Sequence, residues 1–167
     1  STSNKTSTFV SGFKALGYLK GQVAHQGGVF SSEVFDPNGE LQFSTVNPYK
    51  EDTLTTGATT TLSLDGTGTT NLIIPNGNNR VWNVTIETQA VVTAINAAVG
   101  IAAGDVYSET TKLTFKKIGG VSSLVGVSST ESVFDGGMGT AQMNYSAGAS
   151  QELKIDFQAP SFGSGDI

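Results

Sequence analysis

Hydrophobic and polar residues alternate along most of this chain. In Val81-Trp82-Asn83-Val84-Thr85-Ile86-Glu87-Thr88, Trp82, Val84 and Ile86 share one parity and Asn83, Thr85 and Glu87 the other. Period-two alternation marks a strand with one buried face and one wet face. The same pattern recurs at residues 152–157, with Leu153, Ile155 and Phe157 inward and Glu152, Lys154 and Asp156 outward. It recurs again at 141–145, where Met143 and Tyr145 oppose Gln142 and Asn144. A Thr-rich strand is expected at 59–64 with Leu62 and Leu64 on one face, and a short apolar one at 72–74, stopped by Pro75. Residues 113–118 and 121–127 form a hairpin around Gly119-Gly120, since both turn positions accept positive φ. A second hairpin is expected at 30–46, turning at Asp36-Pro37-Asn38-Gly39, where Pro fixes φ and Asp bonds its own backbone. Trp82, the single tryptophan, is the expected core anchor, because an indole buries on the order of 200 Å².

Three stretches are less regular. Residues 1–8 are polar and aperiodic, which suits a mobile arm or attachment point. Phe9, Phe13 and Leu16 stand at helical spacing, but Gly12 and Gly17 each cost a helix about 1 kcal/mol, so a short helix and a docking loop both stay open for 9–20. Residues 91–103 read as the end of a strand and a long loop, with a helix as the alternative. About eight strands, turned every 8–12 residues or so, are the mark of a sandwich or barrel.

Composition supports an all-β class. Gly, Ser, Thr and Asn are abundant, and all are poor or middling in helix interiors. A length of 167 residues suits one domain plus a short arm. The connector at 47–52 divides an N-terminal arm with a hairpin (1–50) from a β-sandwich (51–167). The net charge is −5, and Lys116-Lys117 is the only paired basic site, so a nucleic-acid footprint is not expected. No apolar run approaches the roughly 20 residues of a membrane span, and the first residues lead into no apolar stretch of signal-peptide type. Without cysteine there is neither a disulfide framework nor thiolate chemistry.

The inventory for catalysis is thin. His25 is the only histidine, and no Gly-x-Ser-x-Gly elbow surrounds any serine. Zinc lacks ligands, and no EF-hand-type loop is present. Glu51-Asp52 are adjacent and so point to opposite sides of an extended chain, unlike a glycosidase pair. No catalytic residue, cofactor or metal is therefore expected, and Asp65 and Asp135 are read as turn residues bonding their own backbone. The ligand-binding candidates are the polar cluster Asn76, Asn78, Asn79 and Arg80, the loop carrying Asp135 and Met138, and Tyr49 and Tyr107 as rings on which a sugar could stack.

From residue 64 onward the chain resembles a known family. Leu64-Asp65-Gly66, Asn71-Leu72-Ile73-Ile74-Pro75-Asn76 and Val81-Trp82-Asn83-Val84 look like the β-rich distal domains of tailed-bacteriophage fibres and related virion appendages. Gly104-Asp105-Val106-Tyr107, Leu113-Thr114-Phe115-Lys116-Lys117, Gly119-Gly120, Leu124-Val125-Gly126, Tyr145-Ser146-Ala147-Gly148 and Leu153-Lys154-Ile155 follow in the same order. The likeness spans about residues 55–158, and its motifs are structural. It implies a jelly-roll-like antiparallel β-sandwich, commonly trimeric, projecting from a virion and often used for host attachment. Such domains usually add a last strand after the Pro-containing loop; here it is truncated, missing or supplied by a neighbour.

The leading expectation is thus a non-enzymatic phage virion protein (fibre, spike or decoration subunit) at the particle surface. It would contact itself, other virion proteins through residues 1–50, and host surface polysaccharide. A carbohydrate-binding module of a larger protein is the alternative. A polysaccharide hydrolase would need two facing carboxylates that the sequence does not place.

Overall fold

A computed structural model describes residues 2–3, 9–12, 16–17, 22–26, 42–67, 72–73, 80–95, 100–148, 152–163 and 167. Among these the protein is all-β, with twelve strands, one 3-10 turn and no α-helix. The strands are β1 (Thr2–Ser3), β2 (Phe9–Gly12), β3 (Leu16–Gly17), β4 (Val23–Gln26), β5 (Gln42–Thr45) and β6 (Thr59–Thr61). They continue with β7 (Leu72–Ile73), β8 (Arg80–Val91), β9 (Val106–Ile118), β10 (Val121–Phe134), β11 (Gln142–Ala147) and β12 (Glu152–Gln158).

Two antiparallel sheets carry the core. The first is a three-stranded meander in the order β10-β9-β8, built from the longest of the described strands. The second runs β11-β12-β6, and β7 pairs with the opposite end of β12, at Glu152 and Leu153. Both β6 and β7 therefore lie along the same side of β12. Inward side chains of the two sheets meet in one hydrophobic cluster that includes Ile86, Leu113, Phe115, Met143, Leu153, Ile155 and Phe157.

Turn chemistry fixes the register. Gly119 and Gly120 take φ of 58° and 83°, and the hairpin closes with Ile118 opposite Val121. Side chains with a Cβ rarely adopt this left-handed region. Along β9 the burial alternates without a break, so Tyr107, Glu109, Thr111, Leu113, Phe115 and Lys117 all point inward.

Trp82 is not the centre of this core. It lies on β8, an outer strand of its sheet, and is half-buried with its ring centroid 6.5 Å from that of Phe115. Phe115, on the central strand and fully buried, takes the place expected for the indole. Sheet order decides this: the inward face of a central strand is covered from both sides, that of an outer strand from one.

The described parts of the N-terminal stretch are mostly strand. Thr2–Ser3 pairs in parallel with Leu16–Gly17, and β2, β4 and β5 form a three-stranded sheet with a parallel β2-β4 pair. Residues 9–12 and 16–17 are thus strand, where a helix or a docking loop had stayed open. The expected turn at Asp36-Pro37-Asn38-Gly39 lies outside the described residues. Residues 92–95 and 100–105 run without strand or helix, as expected for a long loop, and Val92 and Ile101 anchor it in the core.

Candidate functional site

The expected ligand-binding residues fall in different parts of the chain. Asn76, Asn78 and Asn79 lie outside the described residues, and Arg80 opens β8 opposite Lys117. Tyr107 and Met138, expected at the surface, turn inward with 3% and 1% of their surface exposed. The parity of β9 sends Tyr107 into the core, edge-on to Phe157. Met138 is pulled in by the 3-10 turn Gly136–Thr140, which Asp135 caps by accepting the Gly136 N–H at 2.8 Å. Asp135 is exposed, and its carboxylate bonds its own turn.

Three polar arrangements stand out. The first is buried between the sheets. Glu109 accepts hydrogen bonds from Tyr107, from Thr111 at 2.6 Å and from Tyr145 at 2.6 Å, and Thr130 lies 3.2 Å from Thr111. A buried carboxylate needs such donors, because an unpaired one is strongly disfavoured. Burial, followed by the neighbouring Glu109, pushes both phenols well above the usual tyrosine range. The arrangement therefore holds its protons and ties the sheets together. Sequence reasoning missed it, because the expected strand begins at residue 113 and leaves Glu109 without an assigned face.

The second arrangement joins two loops. Asp105 accepts the N–H of Gly137 and that of Ala102, each at 2.9 Å. These two bonds, Gly137 first, hold its carboxyl below the usual range. The loops pack so closely that a Cβ on Gly136 would meet the Asp105 carboxylate, and one on Gly137 would meet the Gly100 carbonyl.

The third faces solvent. Tyr49 is 59% exposed, yet it is held at several points. Its backbone exchanges bonds with Ser63 at 2.9 and 3.2 Å, and its hydroxyl donates to the Asp65 carbonyl at 3.2 Å. Its ring lies against Gly66, whose φ is 74° and where a Cβ would run into the ring. Asp65 shapes the turn by accepting from Ser63 Oγ at 2.9 Å and from the Thr67 N–H at 3.1 Å. Lys50 reaches the same turn, its Nζ donating to the Thr67 carbonyl at 3.4 Å. Lys50 also stands 4.0 Å from Asp52, whose carboxyl is held low chiefly by the Thr60 hydroxyl. The sequence pointed to Tyr49, but gave no sign that Gly66 is its seat.

His25 sits exposed on β4 with Nδ1 2.9 Å from Ser11 Oγ. The two are cross-strand partners in the β2-β4 pair, which accounts for the contact. No group of three or more His, Asp or Glu side chains able to hold a metal ion occurs among the described residues.

The surface also carries an apolar edge. In the described structure β10 pairs on one side only, with β9. It exposes Val121, Val125, Val127, Val133 and Phe134, with Val133 at 73%. Two register shifts interrupt its pairing, at Leu124/Gly126 and Val127/Ser129.

No family model matches the chain, and searches of curated proteins and of solved structures return no match.

Proposed function

We propose that the chain is a non-enzymatic structural subunit of a tailed-bacteriophage virion: a fibre, spike or decoration protein that assembles as a trimer on the particle surface. The reading rests on the ordered resemblance of residues 55–158 and on one observation above all, the long apolar edge of β10. A 14-residue strand with an open edge and five exposed apolar side chains is a template for another chain. In a symmetric assembly that edge is covered by a neighbouring copy.

In this reading the two sheets are the halves of a jelly-roll-like sandwich, residues 51–167 form the projecting domain, and residues 1–50 dock to other virion proteins. The buried Glu109 arrangement and the Asp105 clasp fit a body that has to be stiff. Native mass spectrometry of the purified chain tests the reading. Three-copy particles support it; a single-copy species at every concentration, with no attachment to a virion, contradicts it.

A second reading, a carbohydrate-binding module of a larger protein, is favoured by the fixed, exposed ring of Tyr49. It calls for sugar binding by a one-copy species.

A further inference from the structure

We infer that the turn carrying Tyr49 and Gly66 is a carbohydrate-binding platform that takes one hexopyranose ring of a surface glycan. The inference deepens the reading above: it rests on the chain standing at a particle surface, and it names where that surface would meet a sugar.

Three observations carry it. The first is exposure combined with fixation. An exposed aromatic ring normally loses rotamer freedom when a ligand lands on it. Tyr49 has already lost much of that freedom, through its backbone bonds to Ser63, its hydroxyl bond to the Asp65 carbonyl and its seat on Gly66. The second is the seat itself. Gly66 offers no side chain, so one side of the ring is occupied by bare backbone while much of the residue stays open to solvent. A pyranose presents C–H bonds on its flat side and hydroxyls around its rim, which matches an electron-rich ring surrounded by polar groups.

The third is the chemistry of that rim. Lys50 and the exposed Asp52 stand beside the turn, 4.0 Å apart. The amine supplies donors and the carboxylate accepts, so the pair can meet sugar hydroxyls in both senses. Glu51 and the turn's own Asp65 add two more carboxylates, so the local charge is net negative. That suits an uncharged hexose better than an anionic sugar.

Titration calorimetry of the full chain with maltohexaose, mannohexaose and a galactan oligosaccharide tests the platform. At least one of them is expected to bind saturably. Tyr49→Ala is expected to weaken that binding roughly tenfold or more, as for an aromatic anchor at an interface. Tyr49→Phe keeps the ring and loses only the bond to the Asp65 carbonyl, so it is expected to retain most of the affinity. In the unmodified chain the Tyr49 ring protons are expected to shift on titration, an observation that does not depend on any variant folding. Absence of binding by all three sugars, undiminished binding by Tyr49→Ala, or unmoved Tyr49 signals would overturn the inference. Copy number, measured on the same samples, separates the two levels. Trimers that bind none of the sugars sink the platform alone, whereas sugar binding by a strictly one-copy species sinks the virion reading and leaves the platform standing.

Discussion

Tyr145 on β11 donates its phenol to Glu109 on β9 at 2.6 Å, so a hydrogen bond to a buried carboxylate crosses from one sheet to the other. Glu109 also gathers the hydroxyls of Tyr107 and Thr111 from its own strand. Removing one donor should hurt less than removing the acceptor. Tyr145→Phe is expected to cost about 1.5–3 kcal/mol, the usual worth of a hydrogen bond to a charged group. Glu109→Ala strands three hydroxyls and is expected to cost more. Urea denaturation of the two variants checks the order; equal stability for all three chains would mean that the arrangement is not holding the sheets.

The two phenols also set an alkaline limit. In the folded chain Tyr107 and Tyr145 keep their protons above the usual range, through burial first and Glu109 second. In the unfolded chain they titrate near the ordinary value of about 10. Between those limits the unfolded state holds fewer protons, so stability falls as pH rises. The contribution is intact below pH ~10 and is lost progressively as pH rises from there through the raised folded value. Melting temperatures at increasing pH should fall more steeply for the parent than for a variant carrying both Tyr107→Phe and Tyr145→Phe.

Asp105 acts at the other end of the scale. Its carboxyl is held low by the N–H groups of Gly137 and Ala102, so its contribution is present above the unfolded value of about 3.9. It disappears as pH falls through the lower folded value. The gap in melting temperature between the parent and Asp105→Ala is therefore expected to be widest near neutrality and to narrow in strong acid. A gap that does not change with pH would assign the clasp to packing.

Phe115 and Trp82 separate position from size. Phe115→Ala is expected to cost about 3–5 kcal/mol, the range for a fully buried aromatic. Trp82→Ala should cost less despite the larger ring, because Trp82 lies half-buried on an outer strand. Chemical denaturation of the two variants decides which aromatic centres the core.

The strands were legible in the sequence wherever alternation ran unbroken, as at Trp82, Val84 and Ile86 or at Leu153, Ile155 and Phe157. Gly119-Gly120 also disclosed its turn, because two positive-φ positions need glycine. What parity cannot give is the order of strands in a sheet, and that order decides between Trp82 and Phe115. β9 was legible only at its apolar end. At Glu109 and Thr111 polar side chains occupy inward positions, and they become readable only once Tyr145 is seen to face them. Tyr107 illustrates the same limit: beside Gly104 and Asp105 it reads as a loop residue, yet it is already inside the strand. Met138 reads as a flexible loop contact in the sequence because a glycine-rich run hides a 3-10 turn. The Tyr49 platform joins residues 17 apart along the chain through a seat with no side chain, which no local pattern announces.

The central claim is that β10 is an edge awaiting another copy of the chain. Sedimentation equilibrium of the parent beside Val133→Lys tests it most directly, since Val133 points to solvent and its replacement should leave the fold intact. The expected result is a three-copy mass for the parent and a one-copy mass, with unchanged melting, for the variant. A one-copy parent, or a variant that assembles as the parent does, would contradict it.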